Sequence, residues 1–182
     1  ILSGLVGSEM CIRDSSITSD PSVISHNSPN QRLISKLRPH IVSPILTFFE
    51  GRQNSLCSVS VLPSSWPARI NSSDFDIVHL HWTQREMLSI RDISIIRKPI
   101  IWTLHDMWAF CGAEHYTNSK RWAEGYSRHN RTPGDSLYDI NRWTWRRKLK
   151  HWKTPMQIVC PSRWLSDLSL IHISEPTRPE RI

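Results

Sequence analysis

No stretch of this 182-residue chain approaches the ~20 consecutive apolar residues of a membrane-spanning helix, so no segment reads as one. Cysteine is scarce: Cys11, Cys57, Cys111 and Cys160 contain no Cys-x-x-Cys pair and no regular spacing. That argues against a structural zinc site or a disulfide framework and fits a reducing compartment. No internal repeat is visible. Residues 1–15 look superficially like a signal peptide but lack a basic leading region and a long apolar core. Acidic residues are few, 16 against 23 lysines and arginines, for a formal net charge of +7. That balance suits partners carrying phosphate: nucleic acid, anionic lipid or phosphorylated metabolites.

The most informative stretch is 99–116, PIIWTLHDMWAFCGAEHY. Ile100 to Leu104 is a short β-branched and aromatic run behind a proline, the composition of a strand buried on both faces of a parallel sheet. It stops at His105-Asp106, where such a strand would end, and ligands of open α/β sheets bind beyond the carboxyl ends of strands. A His-Asp pair there is equally a capped turn, with the carboxylate serving the next segment.

Around this edge the chain reads as α/β. Residues 16–30 are a polar loop, and 31–37 have helical apolar spacing that Pro39 should end. Residues 68–71 finish a short helix, and 75–82 form a strand with His79 and His81 on one face. Residues 84–97 carry Met87, Leu88, Ile90, Ile93, Ile95 and Ile96 at mostly helical intervals. Strand, helix and strand over this length make a βαβ unit with a parallel pair and a right-handed crossover. Residues 118–135 are polar and rich in turn formers. Asp139 can cap a helix over 140–153, with an apolar stripe of Tyr138, Trp145, Leu149 and Trp152. Arg142, Arg146, Arg147, Lys148, Lys150 and Lys153 cover its other faces. Residues 156–160 form a third short strand, and Pro161-Ser162 start another helix.

Three chemistries suit these residues. His79, His81, His105, Asp106, Glu114 and His115 offer ligands for a hydrolytic zinc ion, at a spacing that matches no standard zinc pattern. The basic, tryptophan-bearing helix suits a nucleic-acid backbone or an anionic membrane surface. Trp145, Leu149 and Trp152, however, lie at core spacing. The aromatic loop also offers platforms and hydroxyl partners for carbohydrate.

Four blocks choose among these. DIVHLHW (76–82), KPIIWTLHDMWAFCGAEHYT (98–117), NRWTWRRKLKHWK (141–153) and PSRWLSD (161–167) resemble, in this order, family 4 glycosyltransferases of the exopolysaccharide and colanic-acid type. Upstream of residue 74 the likeness is thin. The resemblance implies a GT-B fold, two Rossmann-like domains facing a cleft, with this chain supplying a partial parallel sheet from the N-terminal, acceptor-side half. It implies retaining, metal-free transfer from a nucleotide-diphosphate sugar to a glycan or polyprenyl-linked acceptor in polysaccharide biosynthesis. The setting it implies is the bacterial cytoplasm, in peripheral contact with the inner membrane face, with no nucleic-acid partner and no cofactor besides the donor. His105 would contact the donor sugar, and Asp106 would orient it or bind hydroxyls. His81, Trp82, Trp108, Glu114, His115 and Tyr116 would line the acceptor side.

The chain departs from the family in three ways. Ala113-Glu114 replaces a cysteine-rich insert, and neither the glycine-rich first loop nor the nucleotide-binding C-terminal domain is present. Residues 1–15 and 168–182 resemble translations, on opposite strands, of an adapter used to prepare sequencing libraries. The expectation is therefore an acceptor-side fragment over 16–167, inactive alone and slightly more basic than the whole chain. The alternative from another class is a non-catalytic basic module that binds anionic membrane or nucleic acid.

Overall fold

The two apolar runs before the His-Asp pair form adjacent strands. The computed structural model describes residues 33, 34, 37–42, 44, 56–83, 85–131 and 138–173; the expected loop at 16–30 lies outside them. Within them the order is α1 (Trp66–Asn71), β1 (Val78–His81), α2 (Ile90–Ser94), β2 (Ile100–Thr103), α3 (Arg121–Glu124), α4 (Ile140–His151), β3 (Gln157–Val159) and α5 (Arg163–Ile173). The chain is mixed α/β, with a small open sheet of three parallel strands in the order β1-β2-β3. Val78 pairs with Ile100 and His81 with Thr103, while Thr103 pairs with Val159 on its other side.

The core follows from the alternation of side chains along each strand. Val78 and Leu80 of β1 and Ile100 and Trp102 of β2 are buried, together with Ile90 and Ile93 of α2. Trp102, Trp108 and Trp152 close this core, Trp152 edge to face with the other two. Their centroids lie 5.4 Å (Trp102–Trp152), 5.8 Å (Trp108–Trp152) and 6.2 Å (Trp102–Trp108) apart, within the range where aromatic pairs add attraction beyond area burial.

Several expectations are corrected. β2 is buried on one face only: Ile101 and Thr103 are half-buried. The helix expected over 84–97 shrinks to Ile90–Ser94. Arg85 and Glu86 have φ of 56° and 61°, which no right-handed helix admits. The Glu86 carboxylate instead accepts from the backbone N–H groups of Val61 (2.7 Å) and Leu62 (2.8 Å). The helix then starts at Ser89, whose hydroxyl accepts from Asp92 N–H while Asp92 accepts from Ser89 N–H, a reciprocal cap. Pro39 does not end its helix, because residues 37–42 are helical. The Arg38 guanidinium anchors that segment through the carbonyls of Leu62, Pro63 and Glu86. The short α3 lies within the polar, turn-rich stretch 118–135.

α4 begins where expected, with Asp139 accepting from Arg142 N–H at 2.9 Å, but its buried side differs from the expected stripe. Thr144 and Lys148 are buried, Trp145 is half-buried, and Tyr138 and Leu149 are exposed. Charge alone placed Lys148 on the solvated face; backbone carbonyls of the aromatic loop draw it inward. α5 runs through residue 167 to Ile173, and Ser169 on it is buried.

Candidate functional site

The carboxyl ends of β1 and β2 carry the histidines. His79 and His81 share the half-buried face of β1, as their spacing requires, with ring centroids 4.3 Å apart. The His79 ring nitrogen Nε2 bonds the Thr103 hydroxyl at 2.8 Å, across the pair of strands. At the strand ends, Nδ1 of His81, the last residue of β1, lies 3.0 Å from Nε2 of His105, two residues past β2. His81 Nε2 is buried and has no hydrogen-bond partner among the described residues. Burial, with His79 and then His105 nearby, pushes His81 below the ordinary histidine range. His105 is exposed, and its backbone carbonyl accepts from the Tyr116 hydroxyl at 3.1 Å.

Behind this surface lies a buried polar chain. Asp106 accepts from Trp108 N–H at 2.9 Å through one oxygen and holds His115 Nδ1 at 2.6 Å through the other. His115 Nε2 meets the Ser58 hydroxyl at 2.8 Å, and Trp108 Nε1–H donates to the Ser58 carbonyl at 2.7 Å. Ser58, Asp106, Trp108 and His115 are all buried. The loop residue Ser58 sits here because the 56–58 segment lies against the aromatic loop. Ser58 N–H donates to the Ala113 carbonyl, His115 N–H to that of Leu56, and Cys57 bridges Glu114. The order serine, histidine, aspartate is that of a nucleophilic triad, but all three side chains are enclosed, so the arrangement braces the loop. Trp82 connects it to the histidine edge, its ring 6.4 Å from that of His115. The backbone at Trp82 is left-handed, with φ of 38°, a strained conformation for an aromatic residue.

Beneath the loop, Lys148 donates to the carbonyls of Trp108, Cys111 (3.1 Å) and Gly112 (2.7 Å). Its ammonium stands 3.8 Å from the centre of the Trp108 ring. Burial pulls Lys148 down to about 7, against Cys111, Glu114 and Asp106, which favour its charge. Tyr126 donates to Glu114 at 2.6 Å and accepts from Gly112 N–H at 2.9 Å. Burial raises the Glu114 carboxyl and pushes the Cys111 thiol up to about 12, so that cysteine is unreactive.

The structure thus divides the expected site residues. His105 and Tyr116 are exposed, His81 and Trp82 are half-buried beside them, and Asp106, Trp108, Glu114 and His115 are buried behind. Asp106 bonds His115 and Trp108, not the His105 ring. Among the described residues no group of three or more histidine, cysteine or acidic side chains is placed to hold a metal ion. No helix among them is long and apolar enough to cross a membrane. Sequence reasoning missed Ser58, Tyr126 and the inward turn of Lys148. Ser58 and Tyr126 had no local signal, whereas Lys148, four residues after Thr144 and four before Trp152, fell on a face that could have been read as inward. No family model, curated protein or solved structure matches the chain.

Proposed function

We propose that the chain is part of the acceptor-side, Rossmann-like domain of a retaining GT-B glycosyltransferase of the exopolysaccharide type. The enzyme takes a nucleotide-diphosphate sugar as donor and a glycan or polyprenyl-linked saccharide as acceptor. The observation that carries this reading is the position of His105: an exposed imidazole one residue pair beyond the end of the central parallel strand, inside the sequence block with the family's pattern. In this reading His105 donates to oxygens of the donor sugar as charge develops near the anomeric carbon. His81, Trp82 and Tyr116 form the accessible rim. Asp106, Trp108, Glu114 and His115 support that rim from below and hold the loop in place.

The test uses the chain and the reading frame recovered from both sides of it in the source DNA. The chain alone is expected to show no sugar transfer. The longer polypeptide, with a second α/β domain, is expected to transfer sugar from a nucleotide-diphosphate hexose. His105→Ala should lower its kcat by about 10²–10³-fold, the usual cost of removing one such donor. Failure to transfer from any common nucleotide hexose would overturn the reading.

A second reading, a basic module for anionic membrane, has its own observation. Trp143 and Leu149 of α4 are exposed beside the exposed Arg146 and Lys150. Binding to phosphatidylglycerol vesicles that survives His105→Ala and is lost on Arg146→Glu with Lys150→Glu would favour it.

A further inference from the structure

His105 has two ring nitrogens, and which of them carries the proton decides what it can offer a ligand. We infer that His81 is a positioning residue that fixes His105 in the Nδ1–H form, so that the exposed ring presents a hydrogen-bond donor. The argument starts at the far side of His81. Its Nε2 is buried without a partner among the described residues. A buried N–H with no acceptor costs more than a bare nitrogen lone pair with no donor. The proton of neutral His81 therefore sits on Nδ1, and the atom 3.0 Å from Nδ1 is Nε2 of His105. That nitrogen must accept, so the His105 proton is on Nδ1.

The His81 ring is held for this task. It packs on His79, tilted by 50°, and His79 is itself tied to Thr103, the residue that pairs with His81 across the strands. The titratable groups facing His81 are His79 on its own strand and His105 beyond β2. No acid stands among them to stabilise an imidazolium, so the neutral form that the relay needs is the one the surroundings favour. The donor presented suits a hydroxyl or phosphate oxygen, as in a sugar nucleotide. That His105 meets a sugar rests on the proposed function, whereas the proton's position does not.

The experiment is long-range ¹H–¹⁵N correlation of the ¹⁵N-histidine-labelled chain at ~pH 8, where an ordinary histidine is neutral. His105 is assigned by its loss in His105→Gln, and the buried His115 signal serves as a folding control. Wild type should show His105 with a protonated Nδ1 and a bare Nε2. His81→Asp offers only an acceptor and should move the proton to Nε2. His81→Phe removes the partner and should let the ring relax to the Nε2–H form that free histidine prefers. Protonation at Nε2 in the wild type overturns the inference. So does an Nδ1–H form that both variants leave unchanged. No activity is read, so failure of the transferase proposal would leave the result standing.

Discussion

Asp106 and Ser58 hold the two nitrogens of His115 from opposite sides, and they are not equivalent. The carboxylate takes the imidazole proton on Nδ1, while the hydroxyl donates to Nε2. Asp106→Ala strands a buried N–H and also frees Trp108 N–H, whereas Ser58→Ala leaves only an unfilled lone pair. The first is expected to cost about 2–4 kcal/mol and the second about 1 kcal/mol in urea unfolding. An equal cost for the two would overturn this assignment of the proton. Of these residues the sequence showed Asp106 and His115 as polar positions next to a strand end, but not their pairing. His115 lies nine positions after Asp106 along an irregular loop, and Ser58 lies 57 positions from His115. No periodicity reports contacts made through a loop.

The same division holds for whole elements. Strands, the shared face of His79 and His81 and the Asp139 cap were legible because each follows from spacing within about ten residues, and the β1–β2 parallel pairing because strand, helix and strand follow one another directly. Helix 84–97 was misread because apolar intervals do not reveal a carboxylate that leaves to serve another segment. Asp92 shows how much such long-range duty weighs. It caps α2 through Ser89 N–H and also holds Ser64 N–H at 2.9 Å. Ser89→Ala, which removes one cap bond, should cost about 1 kcal/mol. Asp92→Ala should cost clearly more, and thermal unfolding of the two variants checks the order. Gly112 sets the distance between the aromatic loop and α4: an added Cβ would lie 2.6 Å from the Cα of Asn141. Gly112→Ala is therefore expected to lose about 1–3 kcal/mol by forcing the loop from the helix. Unchanged stability would show that the contact yields.

At the scale of the molecule, Lys148 ties α4 to the loop and makes the folded state gain stability as the pH rises. Its proton leaves the folded chain at about 7 and a free lysine at 10.5. Between those values the unfolded state binds more protons, so this group makes stability rise with pH across the window and adds no slope outside it. Relative to Lys148→Met, the wild type should gain at most about 1.4 kcal/mol per pH unit from 7 to 10.5, read from urea midpoints. A parallel pair of curves would place the proton elsewhere.

The lysine beneath Trp108 also has an optical consequence. An ammonium group against an indole face takes excitation energy away by proton transfer to the excited ring, and Trp102 and Trp152 lie close enough to pass theirs to it. Below about pH 7, where Lys148 keeps its proton, the folded chain should therefore emit weakly from its interior and brighten when the loop lifts from α4. Any ligand that moved the loop away from α4 would then register as a change in light, with no label attached.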